Sequence, residues 1–405
     1  MLKIGIQSRG IIKENAIEEG YKTIKSSGIT CVDYDILHQK GALTNTQYYQ
    51  KHIACAKRHE ITFAQVHAPV LKHEQEYVRS HQQGYTLEYI VDVLKQSVDI
   101  CKVLESPFLV VHALNTADKT TKDEEFALNM ELFTRVGAYA MEHDVTICIE
   151  NVPYRKENIL QEGACSRAQD IVNYIERLNQ KLGHACFGAC FDIGHANILK
   201  HNFEQEILKL GDYLKVVHIH DNDGARDLHQ MPYCFTHQEH NFSNTDWSGF
   251  LVALRQIKYS GVLSFETYKL FTSMPGILQT ELLKFLFKIG VHFSTVILYE
   301  ERLKKYKEHT RVVFGAGKML DVYMKFFGEE YRPHYIVDNN SKLWGTQKYG
   351  ILICEPKMLA QSEQKNNVVI ICSAYYEEII IQLQSMGINQ YELSEEILRM
   401  SGKPQ

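Results

Sequence analysis

Short apolar runs alternate with longer amphipathic stretches from residue 1 to about residue 290. Runs of this length, rich in β-branched residues, predict strands buried on both faces. Between them, apolar residues recur at helical spacing, as at Leu87, Ile90, Val91 and Leu94. The predicted strands are 2–6, 31–34, 62–66, 108–111, 146–149, 185–191, 214–219 and 262–265, and the predicted helices include 85–104, 124–143, 167–182, 247–257 and 276–286.

This alternation is typical of a parallel α/β domain. Eight strands with intervening helices is the count of a (β/α)8 TIM barrel. A doubly wound open sheet is the alternative, but no glycine-rich loop follows the first strand, which favours the barrel. We therefore predict a (β/α)8 TIM barrel over residues 1–298.

A second, smaller unit is predicted after a charged segment at 299–310, which we interpret as a solvated helix end plus linker. Residues 311–400 then show strand, glycine turn, helix and further strands, the pattern of a small Rossmann-like α/β domain. Its predicted strands are 311–314, 335–337 and 368–372, and its predicted helices are 320–327 and 376–386.

Composition narrows the function classes. With 405 residues, 45% apolar and 23% charged, the chain has the composition of an ordinary globular protein of two domains. Its net charge of −5 argues against nucleic acid as a partner. Several of the ten cysteines lie in apolar strands, which is typical of reduced thiols in a cytoplasmic protein. We expect no signal peptide and no membrane span, because the start enters a strand and no 18-residue apolar run occurs.

Polar residues able to bind metal follow six successive predicted strands, the third to the eighth. In a barrel these positions share the C-terminal rim, where active sites are built. One histidine at a strand end is more often structural, but six such ends together predict a shared metal site. These residues are His67, His112, Glu150, Asp192, His220 and Glu266.

The rim motifs together resemble those of xylose isomerase-like barrels of AP endonuclease family 2. That family comprises sugar and sugar-phosphate isomerases and epimerases together with endonuclease IV. The resemblance covers residues 1 to about 290. The motifs that carry it are Val-His67-Ala-Pro, Val-His112-Ala, Ile-Glu150-Asn, Phe-Asp192-Ile-Gly-His195, His218-Ile-His220-Asp-Asn-Asp-Gly, Asp227-Leu-His229 and Ser-Phe-Glu266.

The resemblance implies two ligand sets. In the epimerase branch one divalent ion (Zn, Mn or Mg) would be held by Glu150, Asp192, His220 and Glu266. The resemblance favours His220 over His218 because an acid, Asp223, stands three residues after it, as in the family pattern. The two histidines share strand parity, so His218 is then a candidate to support the ligands. In the endonuclease IV branch three zinc ions would also use further residues, which here are His67, His112, His195, Asp227 and His229.

The epimerase branch implies proton transfer through an enediolate. The ion would polarise a sugar carbonyl as a Lewis acid, and Glu150 and Glu266 would remove and return the proton. His195 is predicted to contact the substrate, and Arg226 is a further candidate. Isomerisation and epimerisation, the sugar, its phosphorylation, the metal and any homo-oligomer stay open at this point.

Rival functions remain. An endonuclease IV-like zinc phosphodiesterase is disfavoured by the acidic balance and by a replaced loop after His229, whose His237 and His240 are candidates to reach the site. A non-catalytic sensor that binds a nucleotide or nucleotide sugar is disfavoured by the intact set of acidic and imidazole residues.

The second unit resembles small Rossmann-like modules attached to surface-polysaccharide and nucleotide-sugar enzymes. The residues that carry this are Gly315-Ala-Gly317-Lys, Asp338-Asn-Asn and Trp344-Gly345. The turn and the helix after it are predicted to bind a nucleotide or nucleotide sugar through Gly315, Gly317 and Asp338. A tight turn without a ligand is the alternative, since the third glycine of the motif is replaced by Leu320.

Overall fold

The structure is a computed structural model that describes residues 1–36, 45–70, 86–116, 121–156, 159–235, 245–360 and 367–399. The chain divides into two compact units, Met1–Ser294 and Thr295–Gln405. None of the helices within these described ranges is long and apolar enough to cross a lipid bilayer.

The first unit is a closed barrel of eight parallel strands, which confirms the predicted TIM barrel. Around the barrel the strands follow the order β1-β10-β9-β8-β5-β4-β3-β2. All eight predicted strands are present, with ends shifted by at most two residues. They are β1 (Ile4–Gln7), β2 (Cys31–Asp35), β3 (Thr62–His67), β4 (Phe108–Val111), β5 (Thr146–Glu150), β8 (Phe187–Asp192), β9 (Leu214–Ile219) and β10 (Leu263–Phe265), while β6 (Tyr154–Lys156) and β7 (Ile159–Gln161) form a separate antiparallel pair.

Helices connect the barrel strands, and each buries an apolar face. In the helix at Leu87–Leu104, Ile90, Val91, Leu94 and Val98 are buried, as their helical spacing predicts. The helices of this part of the chain are α1 (Ile17–Ser26), α2 (Thr46–Arg58), α3 (Leu87–Leu104), α4 (Lys122–Met141), α5 (Ala168–Leu182), α6 (Ile193–Ile198), α7 (Phe203–Leu210), α8 (Trp247–Gln256), α9 (Tyr268–Ser273) and α10 (Gly276–Ile297).

Side-chain caps fix several of these helix starts. Thr121 and Glu124 form a capping box at the start of α4. Asp192, the last residue of β8, accepts a hydrogen bond from the His195 N–H at 2.7 Å and so caps α6. A candidate ligand is therefore also a structural cap, which fixes the turn between β8 and α6.

The second unit contains one six-stranded sheet in the order β13-β14-β12-β11-β15-β16. Its strands are parallel except for the antiparallel pair β13–β14. The strands are β11 (Thr310–Phe314), β12 (Tyr335–Val337), β13 (Gln347–Lys348), β14 (Ile351–Cys354), β15 (Asn367–Ile371) and β16 (Tyr391–Leu393), and the helices are α11 (Tyr299–Lys304), α12 (Lys318–Phe327), α13 (Tyr376–Ser385) and α14 (Glu395–Arg399).

The segment predicted as a linker, 299–310, has a different structure. It begins with α11, whose Tyr299 and Leu303 are fully buried in the core of the second unit beside Val313 and Ile370. The charged residues that suggested a linker occupy the other positions of this helix, since Glu300 and Arg302 are only half-buried and Glu301 is exposed. Two apolar residues four positions apart are enough to anchor a short helix.

Candidate metal centre

The barrel brings the predicted rim residues together around one pocket of about 270 Å³. Parallel strands place their C-terminal ends at one rim, so residues distant in sequence become neighbours. Asp192 and His220 are fully buried and do not line the pocket. The other predicted ligands do line it, namely His67, His112, Glu150, His195, Asp227, His229 and Glu266.

The largest group of possible metal ligands in the described part of the chain comprises three carboxylates and one imidazole. Donor atoms of Glu150, Asp192, His218 and Glu266 all lie within 4.8 Å of one another, and all four residues are buried. The His218 Nδ1 atom lies 3.3 Å from a Glu266 oxygen, 3.5 Å from a Glu150 oxygen and 3.8 Å from an Asp192 oxygen. We call these four residues the carboxylate cluster.

His218, and not His220, occupies the imidazole position of this cluster. His218 lies in β9, in register with Asp192 on β8 and with Ser264 on β10, so its ring enters the barrel beside them. The expected ligand, His220, follows the end of β9 and lies 3.1 Å from the Asp192 carboxylate. Both histidines have the same strand parity, and the sequence pattern could not separate them.

Asp223, the acid that favoured His220, has a local role instead. Its Oδ1 atom accepts hydrogen bonds from the backbone N–H groups of Ala225 and Arg226, and its Oδ2 atom accepts one from the Arg226 side chain. Arg226 itself is 73% exposed and does not line the pocket. The spacing that suggested a ligand therefore reflects a turn after the strand.

A second group lies next to the carboxylate cluster. Donor atoms of His220, His229 and Glu266 lie within 4.8 Å of one another, and the His220 ring stacks on the His229 ring at 4.2 Å. His229 Nε2 lies 2.8 Å from an Asp227 oxygen. Gly194 leaves space for this arrangement, because a Cβ atom there would lie 1.9 Å from Cε1 of His220.

Three histidines surround Glu150 on its two oxygens. His67 Nε2 and His112 Nε2 lie 3.2 and 3.3 Å from Oε2, and His195 Nδ1 lies 3.2 Å from Oε1. A carboxylate between several imidazoles can bridge more than one cation. All nine residues of the larger predicted set thus lie in or beside one site.

The two glutamates of the cluster have opposite electrostatic environments. Burial favours the neutral form of Glu150, but the surrounding histidines, His218 first, hold its pKa well below the ordinary value. Burial, followed by repulsion from Asp192 and Glu150, raises the pKa of Glu266 well above the ordinary value. Burial alone would lower the pKa of His195, but Asp192 and Glu150 raise it to about 9. Without a cation, Glu266 is therefore the glutamate of the cluster that favours the protonated form, and Glu150 favours the ionised form.

The donor set fits a divalent cation. Oxygen and imidazole donors together suit zinc, manganese and similar ions. Within the described part of the chain, Nδ1 of His218 and Nδ1 of His220 have no hydrogen-bond partner. A buried polar atom without a partner is costly, and a cation would satisfy it. Repulsion among three buried carboxylates would likewise be relieved by a positive charge.

Several buried polar residues that support the cluster were not predicted from the sequence. Gln7 donates from Nε2 to Glu266 at 2.9 Å, and the Asn151 side chain bonds the Asp192 backbone at both N–H and C=O. Asp33 and Gln65 are also buried inside the barrel. The sequence signal that could have predicted these residues is a buried polar position within a barrel strand. It occurs at Gln7 in β1, Asp33 in β2 and Gln65 in β3.

The second unit brings Gly315 and Asp338 together. Gly315 has a φ of +114°, and the Asp338 carboxylate accepts a hydrogen bond from the Ala316 N–H at 2.8 Å. Gly317 precedes α12 as its N-cap. The carboxylate thus already occupies one N–H group of the turn that was predicted to cradle phosphate. Nucleotide binding at Gly315, Gly317 and Asp338 stays a prediction, and His237 and His240 lie outside the described residues.

Comparisons with known proteins agree with this architecture. Residues 21–283 match the family described as xylose isomerase-like TIM barrel, and residues 308–394 match the family described as C2185-like, N-terminal. The protein y4fM of Sinorhizobium fredii is 27% identical over 181 residues, which are 44% of this chain and 52% of y4fM. MJ1188 of Methanocaldococcus jannaschii is 20% identical over 268 residues, which are 66% of this chain and 88% of MJ1188. The chain thus spans about half the length of the first of these relatives.

Solved structures share the barrel fold. An L-ribulose 3-epimerase superposes with a TM-score of 0.56 at 16% identity, covering 75% of this chain and 97% of the other. A 3-keto-D-glucoside 4-epimerase from E. coli superposes with a TM-score of 0.54 at 17% identity, covering 71% of this chain and 100% of the other. A D-tagatose 3-epimerase-like protein superposes with a TM-score of 0.53 at 19% identity, covering 71% of this chain and 98% of the other. Since the family match extends over more than half of its length, the chain belongs to the xylose isomerase-like TIM barrel family.

Proposed function

We propose that this protein is a sugar isomerase or epimerase that depends on one divalent cation. The observation that carries the proposal is the carboxylate cluster of Glu150, Asp192, His218 and Glu266, beside a small pocket at the barrel rim. The likeness to structures that are sugar 3- and 4-epimerases supports it. His218 replaces His220 in the proposed ligand set because of its place in the cluster.

The cation would be held by these four side chains and would supply Lewis acidity toward a sugar carbonyl. Glu150 and Glu266 then divide the proton transfers. Glu150, held ionised by the histidines around it, suits the base that removes a proton from carbon. Glu266, the second glutamate of the carboxylate cluster, would return the proton. Removal of the proton gives an enediolate, and its return to either face or to the next carbon decides the product.

Other pocket residues would orient the sugar. His195 lies beside Glu150 and lines the pocket, so it can bond a hydroxyl group next to the reacting carbon. Arg9 lines the same pocket with its guanidinium over the Tyr268 ring at 4.5 Å. Asp35, 3.7 Å from Arg9, supplies an acceptor beside these donors. Donors and acceptors side by side match the vicinal hydroxyls of a carbohydrate.

The test is solvent exchange. Protein reconstituted with Mn²⁺ is incubated with a panel of aldoses, ketoses and their phosphates in deuterated water. We expect deuterium at one carbon next to the carbonyl, together with an isomeric product. A matched Glu131→Gln variant, altered at an exposed helical position, should exchange like the wild type. No exchange with any sugar, although the ion is bound, would contradict the proposal.

A second function is favoured by a specific observation, namely the further donors beside the cluster. His67 and His112 on Glu150, and Asp227 with His229, are the positions that the resemblance to endonuclease IV implies for additional zinc ions. A trinuclear site would activate water on a phosphodiester. Elemental analysis of protein after zinc reconstitution separates the two functions: one ion per chain supports the isomerase, and three support the phosphodiesterase.

A further inference from the structure

Two buried polar side chains, Gln65 and Asp33, lie against the ring of the proposed ligand His218. Gln65 on β3 and Asp33 on β2 are paired in register, and His218 on β9 is paired with Ser264 on β10. Gln65, Asp33 and His218 are each at most 1% exposed. The His218 ring presents Nδ1 to the carboxylate cluster and Nε2 to Gln65 and Asp33.

The contact between Gln65 and His218 joins two nitrogen atoms. Nε2 of Gln65 lies 2.7 Å from Nε2 of His218. An amide nitrogen can only donate, so the ring nitrogen must accept and the ring proton of a neutral imidazole is then on Nδ1. In that tautomer an N–H group points toward Glu266 and Glu150, at 3.3 and 3.5 Å. That hydrogen would lie between the two carboxylates, although Nδ1 makes no hydrogen bond within the described part of the chain.

Binding a cation at Nδ1 requires the other tautomer. Nδ1 must offer its lone pair, so the proton must lie on Nε2. An N–H group would then face the Gln65 NH2 group at 2.7 Å, with no acceptor between them. The Gln65 carbonyl oxygen, Oε1, has no hydrogen-bond partner among the residues that the structure describes. A half-turn of the amide would bring this oxygen to the ring nitrogen.

We propose that Gln65 is the positioning residue for the metal ligand His218, and that its side-chain oxygen accepts from the ring when the cation binds. With the proton on Nε2, the ring donates to Oε1 of Gln65 and turns the Nδ1 lone pair toward the cation. Asp33 supports this state, since its Oδ2 atom lies 3.6 Å from the same ring nitrogen and is held by the Ser264 hydroxyl at 3.3 Å. An oriented imidazole is a better ligand because its tautomer and rotation are already set.

The inference rests on the proposed metal-binding function, and the experiment separates the two. Mn²⁺ is titrated into the full-length wild type, Gln65→Met and Gln65→Glu, with free Mn²⁺ followed by electron paramagnetic resonance. We expect Gln65→Met, which has no acceptor, to bind roughly 10–100-fold more weakly. Gln65→Glu retains an acceptor and should stay within a few-fold of the wild type. Gln256→Met, an exposed glutamine on α8, is the control.

Nitrogen chemical shifts of the His218 ring, in protein labelled with 15N-histidine, give a readout that does not depend on a variant. We expect the Nδ1–H tautomer in metal-free wild type and the Nε2–H tautomer after zinc is added. Gln65→Glu should show the Nε2–H form without metal. Failure of the wild type to bind any divalent ion would contradict the proposed function. Normal binding by a folded Gln65→Met, or an unchanged tautomer in zinc-loaded wild type, would overturn the role of Gln65 alone.

Discussion

Replacing Glu266 by Gln should remove the response of the protein to metal without destabilising the metal-free fold. The donor atoms of the cluster lie within 4.8 Å of one another. At that separation each pair of ionised carboxylates would repel by roughly 3 kcal/mol at an effective dielectric constant of about 20. Burial and this repulsion raise the pKa of Glu266, so the metal-free protein carries it protonated. An amide is a close substitute for a neutral carboxyl group, and its oxygen can still accept the Gln7 hydrogen bond.

The metal-bound state responds differently, because an amide is a poorer ligand than a carboxylate. At a concentration 100 times its Kd, an ion that binds only the folded wild type stabilises it by about 2.7 kcal/mol. For a barrel unit of this size that corresponds to a rise in Tm of roughly 4 °C. In Glu266→Gln we expect a rise below ~2 °C at the same Mn²⁺ concentration, with a Tm in chelator close to that of the wild type.

Differential scanning calorimetry with chelator and with Mn²⁺ measures both quantities. Glu131→Gln provides the control for loss of a carboxylate outside the site. A full metal-induced rise in Glu266→Gln would show that Glu266 does not bind the ion. A Tm in chelator several degrees below that of the wild type would instead show that the glutamate is ionised and structurally required in the metal-free protein, which would refute the electrostatic argument.

Three further predictions concern the pair His218 and His220, the glutamate Glu150, and the buried His52 of α2. His218→Ala should weaken Mn²⁺ binding more than ~100-fold, and His220→Ala, which removes a contact to Asp192, by roughly 10–100-fold, as measured by titration; the reverse order would restore His220 as the ligand. Glu150→Gln should slow solvent deuterium exchange into the sugar by roughly 10³-fold, and unchanged exchange would exclude it as the base. Burial lowers the pKa of His52 to about 4. Because the folded pKa lies below the unfolded value of about 6.5, stability should fall by about 3 kcal/mol between pH 6.5 and 4. Denaturant unfolding of wild type and His52→Gln, which can still accept from Tyr21, should show a shallower pH slope in the variant.

The barrel could be predicted from sequence because its signals are local. The barrel strands are mostly apolar, and Glu150, Asp192 and Glu266 stand at or directly after the ends of their strands, so parallel topology alone brings these three together. The choice between His218 and His220 could not be made in this way. Both point to the same side of β9, and the choice depends on depth in the barrel, which is set by register with Asp192 and Ser264.

Interactions between distant segments account for the other differences between the sequence predictions and the structure. Gln65 and Asp33 have no neighbouring motif, and only barrel closure places them against His218. The short strands β14 and β16 join the sheet of the second unit although neither was predicted, because their pairing with β12 and β15 depends on partners elsewhere in the chain. The segment at 299–304 was interpreted as part of a linker from its charges, whereas its two buried residues decide its structure.

Gly194 makes room for the second of the two groups of candidate metal-binding residues. The absence of a side chain there makes room for the His220 ring, which a Cβ atom would meet at 1.9 Å. An added methyl group would push His220 away from His229 while leaving the side chains of the carboxylate cluster chemically unchanged. Relatives that carry alanine at this position would therefore be restricted to the cluster alone. The presence or absence of a Cβ atom at this position would then decide whether a barrel of this kind can bind a second ion beside the first.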